Sequence, residues 1–389
     1  MSKLIEKDQA FVASTYARFP VALTHGKGSL VYDEEGKEYI DMGSGIAVTA
    51  FGMADDAWRA AVESQLSKLQ HTSNLYYTEP CAALAEMLCA RTGMKKVFFG
   101  NSGAEANECA IKVARKYAAQ RRGADAHLIV TMKNSFHGRT LTTLAATGQE
   151  HYHELYQPLT PGFVHVTAGD LDELRAVLAT GKVAGILMEM VQGEGGVFVL
   201  DAAYVQGAAA LAREYDALLM IDEVQTGNGR TGSLYAYMQY GIEPDVVSTA
   251  KGLGGGLPIG ACLIGARAEG VLGHGDHGST FGGNPVCCAG AVSILSRLDD
   301  ALLAEVTAKG DYIREALSGA KGVKSVSGLG LMIGIEPEDK SASDIVKNCL
   351  QNGVLCLTAK HKVRLLPALN IPWDDLKRAV EIIRAAFAE

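Results

Sequence analysis

Lys251 lies in Ser-Thr-Ala-Lys-Gly-Leu-Gly-Gly-Gly-Leu-Pro, after the apolar run Asp245-Val-Val, and Asp222 closes a similar run, Leu218-Leu-Met-Ile. Ligands of open α/β sheets bind in the crevice beyond the carboxyl ends of the strands, so a lysine and an acid at two such ends can share one site. The amine can form a Schiff base with an aldehyde. The carboxylate can pair with a protonated pyridine nitrogen and keep the ring an electron sink. Together these two groups suggest pyridoxal phosphate. Taken singly, each has a plainer role, as a solvated loop lysine and as an N-cap aspartate.

Asn101-Ser-Gly-Ala-Glu-Ala-Asn follows the run Lys96-Val-Phe-Phe and opens a helical pattern. The segment's backbone N–H groups would then stand at a helix N-terminus, where a phosphate can bind. Alone, the segment reads equally well as an ordinary cap by Ser102. Beyond the next run, Asn134-Ser-Phe-His-Gly-Arg-Thr offers Phe136 to stack on a planar ring and Arg139 to clamp a carboxylate. Beyond the third, Glu189-Met-Val-Gln-Gly-Glu-Gly-Gly can carry Glu194 into a pocket on a flexible backbone. The recurrence of such groups at successive strand ends is hard to assign to chance.

Other chemistries fit less well. Gly252 to Gly256 lack the third glycine of a dinucleotide loop, and Pro258 interrupts the helix such a loop requires. Gly328-Leu-Gly-Leu-Met-Ile-Gly runs into an extended stretch with no helix N-terminus for a pyrophosphate. A nicotinamide dehydrogenase is thus disfavoured, and there is no Walker loop or G-x-S-x-G elbow. His151, His153 and His165 lack the spacing and the cysteines of a zinc site and read as surface histidines, so no metal is expected.

The chain has 389 residues, of which 48% are hydrophobic, enough for one large domain and a smaller one. Its net charge of −8, with no dense basic run, argues against a nucleic-acid partner and for small-molecule chemistry. No stretch has the length of a membrane span, and the start, Met1-Ser-Lys-Leu-Ile-Glu-Lys-Asp, has no secretory h-region. Eight cysteines without a C-x-x-C pair fit a reducing cytoplasm with mostly buried thiols.

These side chains need a parallel sheet to carry them. Strands are predicted at Lys96-Val-Phe-Phe, Leu128-Ile-Val-Thr-Met, Val183-Ala-Gly-Ile-Leu-Met, Leu218-Leu-Met-Ile and Asp245-Val-Val-Ser, with helices over Ala104 to Tyr117 and Ala202 to Tyr215. Alternation around Glu35-Gly36 predicts a β-hairpin over Gly28 to Asp41. Towards the end come a helical Ala289 to Leu317, strands near Val323 to Ile335, and helices near Ser343 and from Trp373. The expected fold class is therefore α/β: a large domain over 45–285 with a mainly parallel central sheet, and a smaller α+β domain built from both ends, 1–44 and 286–389.

The ensemble resembles the class III, fold-type-I pyridoxal-phosphate aminotransferases, most closely their acetylornithine branch. The similarity rests on Tyr16-Ala-Arg-Phe-Pro, Asp33-Glu-Glu-Gly-Lys-Glu-Tyr-Ile-Asp, His71-Thr-Ser-Asn-Leu-Tyr-Tyr, Asn101-Ser-Gly-Ala-Glu-Ala-Asn, Phe136-His-Gly-Arg-Thr, Asp222-Glu-Val-Gln-Thr-Gly, Lys251 and Gly278-Ser-Thr-Phe-Gly-Gly-Asn-Pro. It implies that Lys251 binds the cofactor aldehyde and then moves the α-proton, that Asp222 holds the pyridine nitrogen, and that Gln225 lies near the ring hydroxyl. It further implies that Phe136 stacks on the ring, and that Ser102, Gly103 and Ala104 take the phosphate with Thr280 of a partner subunit, which makes a homodimer part of the site. Arg139 and Arg364 become the carboxylate-binding arginines, Glu194 the residue that pairs with and releases Arg364, and Ser279 and Tyr16 substrate contacts. The implied reaction moves the terminal amine of N2-acetylornithine to 2-oxoglutarate. Ornithine, 4-aminobutyrate or succinylated donors, and a noncatalytic relative, stay open. Met53 and Met190 replace a His and a Pro common in this family; Gly45 or Ile46 stands where ornithine δ-aminotransferases tend to carry a pocket tyrosine.

Overall fold

The computed structural model describes residues 2–389. Its central sheet has seven strands, labelled here in chain order: β1 Lys96–Gly100, β2 Leu128–Met132, β3 Phe163–Val166, β4 Val183–Met188, β5 Leu218–Asp222, β6 Val246–Thr249 and β7 Gly260–Ile264. Their spatial order is β1-β7-β6-β5-β4-β2-β3. β7 runs antiparallel to both β1 and β6, and the other neighbouring pairs are parallel. Helices Gly103–Arg122, Leu141–Ala146, Leu171–Leu178 and Ala202–Glu214 connect β1 through β5. Such crossovers cover the sheet, and β4 accordingly is buried at every position, which is why it reads as an unbroken apolar run. All five predicted strands are present, with the last shifted by one residue.

Both chain ends contribute to the flanking sheets. Strands Leu23–Lys27, Leu30–Asp33 and Glu38–Asp41 form an antiparallel sheet, and Val354–Leu355 pairs parallel to its last strand. The hairpin turn is held by Asp33 Oδ1, which accepts from Glu35 N at 3.0 Å and Lys37 N at 2.9 Å, while Gly36 takes a φ of 80°. A second small sheet orders Val323–Leu329, Met332–Pro337, Lys362–Leu365 and Leu357–Ala359. The continuous helix expected over Ala289 to Leu317 is in fact two, Pro285–Leu295 and Asp300–Leu317. Asp299 caps the second by accepting from Leu302 N at 2.9 Å, so the chain restarts its helix there. Among the described residues, no helix is long and apolar enough to cross a membrane.

Candidate active site

The carboxyl ends of β1, β2, β4, β5 and β6 surround a cavity of about 370 Å³. Its lining includes Ser102, Gly103, Ala104, Phe136, Asp222, Gln225 and Lys251, so seven of the expected residues meet there. Lys251 follows β6 on a short turn with φ 46°, a left-handed conformation uncommon outside glycine. Burial lowers the pKa of its ammonium against the opposing pull of Glu194 and Asp222, which favours the nucleophilic free amine. Asp222 is 4% exposed and caps no helix: its Oδ1 accepts from Val224 N at 3.0 Å in a tight turn. Its Oδ2 accepts from Asn107 Nδ2 and His137 Nδ1, each at 2.8 Å.

Ser102 does cap the 20-residue helix Gly103–Arg122, its Oγ accepting from Glu105 N at 3.2 Å. The cap leaves the first helical N–H groups, at Gly103 and Ala104, without intrahelical acceptors beside the cavity. A Cβ on Gly103 would lie 2.6 Å from Val224, so the backbone approach requires glycine. Phe136 is positioned through its backbone, its N–H donating to Glu189 Oε2 at 3.0 Å. Burial, and then the Asp222 charge, push the Glu189 carboxyl well above the usual range. An anion cradle, a buried lysine, an aromatic ring and a pinned carboxylate in one cavity fit the phosphate, aldehyde, ring face and ring nitrogen of pyridoxal phosphate.

Arg364, on the second small sheet, is 3% exposed and meets the cavity lining at Gln225. Its Nη1 donates to Glu194 Oε1 at 2.5 Å and Gln225 Oε1 at 3.1 Å, and its Nε is buried without a partner. Burial would raise the Glu194 pKa, but the Arg364 guanidinium, aided by Lys251 and a hydrogen bond with Gln225, holds the carboxyl below its ordinary value. Arg139 is exposed and lies over the rings of Tyr152 at 4.5 Å and Phe136 at 5.6 Å. Near the cavity mouth, Ser44, Gly45, Ile46 and Ala47 all have positive φ, and the next residue, Val48, lines the cavity. That strained turn is pinned by Asp41 Oδ1, which accepts from Gly43 N and Ser44 N at 2.9 Å each.

Residues 11–387 match the sequence profile described as Aminotransferase class-III. The chain belongs to the class III aminotransferases. The acetylornithine aminotransferase of Haemophilus ducreyi is 51% identical over 98% of this chain and 98% of that protein. That of Methanothermobacter thermautotrophicus is 43% identical over 98% and 97%. Among solved structures, the ornithine aminotransferase of Toxoplasma gondii superimposes with a TM-score of 0.95 at 32% identity, covering 99% of this chain and 94% of that one. The N-acetylornithine aminotransferase of Stenotrophomonas maltophilia gives 0.85 at 34%, covering 99% and 98%.

Six expected site residues of this class III chain do not line the cavity: Arg139, Glu194 and Arg364, placed above, and Tyr16, Ser279 and Thr280. Tyr16 is 74% exposed, Thr280 is exposed, and Ser279 instead lines a separate hollow of about 500 Å³, accepting from Asn101 Nδ2 at 3.0 Å. The surface reading of the histidines holds for His151 alone, since His153 and His165 are half-buried. Sequence reasoning passed over Val224, Asn107 and His137, although each sits inside a motif it had singled out.

Proposed function

We propose that the chain transfers the terminal amino group of N2-acetyl-L-ornithine to 2-oxoglutarate, giving N-acetyl-L-glutamate 5-semialdehyde and L-glutamate in a ping-pong cycle of arginine synthesis. The observation that carries this reading is identity of up to 51% to curated acetylornithine aminotransferases along nearly the whole chain. The higher TM-score of an ornithine aminotransferase weighs less, because backbone superposition measures the fold and the donor is chosen by side chains.

Bound pyridoxal phosphate supplies an aldehyde for the amine and a ring that accepts an electron pair. Gly103 and Ala104 N–H groups, with Ser102, would hold the phosphate, Phe136 and Val224 would bound the ring, Asp222 would take its nitrogen and Gln225 would serve its hydroxyl. Lys251 Nζ would take the proton from the donor's terminal carbon and later return one to the keto acid's α-carbon. Arg139 receives the donor's carboxylate. Arg364 stays paired with Glu194 for that substrate and is released to bind the second carboxylate of glutamate.

The small domain comprises 1–44 and 286–389, around a large domain of 45–285. The working unit is a cytoplasmic homodimer in which Ser279 and Thr280 complete the neighbour's site. Exposed Leu75, Tyr76, Tyr77 and Phe281 give that contact apolar surface.

The deciding experiment adds N2-acetylornithine to purified holoenzyme without keto acid and follows the visible cofactor band. Bleaching faster than with ornithine or 4-aminobutyrate, reversed by 2-oxoglutarate, is expected. Faster bleaching by another amine would overturn the donor assignment.

A further inference from the structure

Asp222 owes its orientation to a buried network that spans four segments. Ser248, its register partner on β6, donates through Oγ to Asn107 Oδ1 at 2.6 Å. That bond fixes the Asn107 amide, whose Nδ2 then donates both hydrogens, to His137 O and to Asp222 Oδ2, each at 2.8 Å. His137 adds its own bond from Nδ1 to the same Oδ2 at 2.8 Å, and its backbone N–H is held by Thr147 Oγ1 at 2.9 Å. A carboxylate accepts only, so Nδ1 carries the proton, and Nε2 is left buried without a partner.

We propose that His137 is a positioning residue for the amino-transfer reaction, holding Asp222 Oδ2 so that Oδ1 presents its free lone pair to the pyridine nitrogen. Oδ2 is filled by two side-chain donors, whereas Oδ1 accepts one backbone N–H, from Val224. Without the imidazole, one side-chain donor is left on Oδ2 and the carboxylate can turn about its Cβ–Cγ bond. The ring would then lose the charge partner that keeps its nitrogen protonated. The inference rests on reading Asp222 as the partner of that nitrogen.

The test loads holoenzyme variants with cofactor labelled with ¹⁵N in the ring and records the nitrogen chemical shift beside single-turnover rates with N2-acetylornithine. His137→Leu is expected to move the resonance toward the unprotonated ring and slow the half-reaction at least about tenfold, with donor KM little changed. His137→Asn puts an amide N–H near the position of Nδ1 and should restore both. His137→Gln puts its amide near Nε2 instead and should not. That contrast decides the matter even if the leucine variant fails to fold. An unmoved resonance in His137→Leu, or equal behaviour of Asn and Gln, overturns the role of His137. Asp222→Asn separates the premise: if it leaves the resonance unmoved, the assignment of Asp222 itself fails.

Discussion

Arg364 Nη1 lies 2.5 Å from Glu194 Oε1, and the arginine is buried while the acid is only partly so. A buried guanidinium without a counter-charge is costly, so any substrate that lacks a second carboxylate needs Glu194 to stay in place. Glu194→Gln removes that charge. The kcat/KM for glutamate should rise relative to that for N2-acetylornithine, by about tenfold, with most of the change in KM. Steady-state kinetics of the two half-reactions checks this, and an unchanged ratio would dissociate Glu194 from substrate choice.

Lys251 is the amine placed in the cavity, and Lys251→Ala should abolish the visible band of the lysine-bound cofactor and lower turnover by at least about a thousandfold. Wild-type turnover in that variant would refute the covalent route.

A methyl group at Gly103 would meet Val224 Cγ1 at 2.6 Å, at the point where the anion cradle faces the ring. Gly103→Ala should therefore weaken cofactor binding about tenfold or more. The helix start itself tolerates alanine, but the contact with Val224 exists without cofactor too, so the melting temperature of the cofactor-free protein should also fall. Titrating apoenzyme with pyridoxal phosphate measures the first effect and calorimetry the second.

The sheet was legible because β4 and β5 are buried at every position and so carry continuous apolar runs. Lys251, Asp222 and the Ser102 turn were legible because strand ends announce themselves locally. The helix break at Ser296–Asp299 was misread because an apolar Leu298 masked the Asp299 cap. The contacts of Asn107 and Ser248 with the Asp222 site depend on the register of β6 against β5 and on where a helix packs over the sheet, and no single segment encodes either.

Thr280 lies on the exposed surface away from its own cavity, which fits a contribution to a neighbouring subunit. Thr280→Asp should repel the phosphate in the neighbour's site, while Lys251→Ala disables its own. Mixed and reassembled, the two inactive variants should recover about a quarter of wild-type activity, since half the dimers carry one intact site of two. No recovery would mean that each site is built within one chain.

His165 packs beside His153 with ring centroids 5.9 Å apart, and its Nδ1 meets Thr131 Oγ1 at 2.7 Å. Burial, then repulsion from His153 and His137, bring its pKa down from 6.5 to about 4. The unfolded chain therefore binds more protons at this residue between those values, and folding stability rises with pH across that window. Above about pH 6.5 the residue is neutral in both states and carries no penalty; as pH falls towards about 4 the penalty accumulates, and below that both states are charged. His165→Gln should flatten the fall in melting temperature between pH 6.5 and pH 4 relative to wild type, even if it starts from a lower value. Parallel curves for the two proteins would show that another group drives the acid sensitivity.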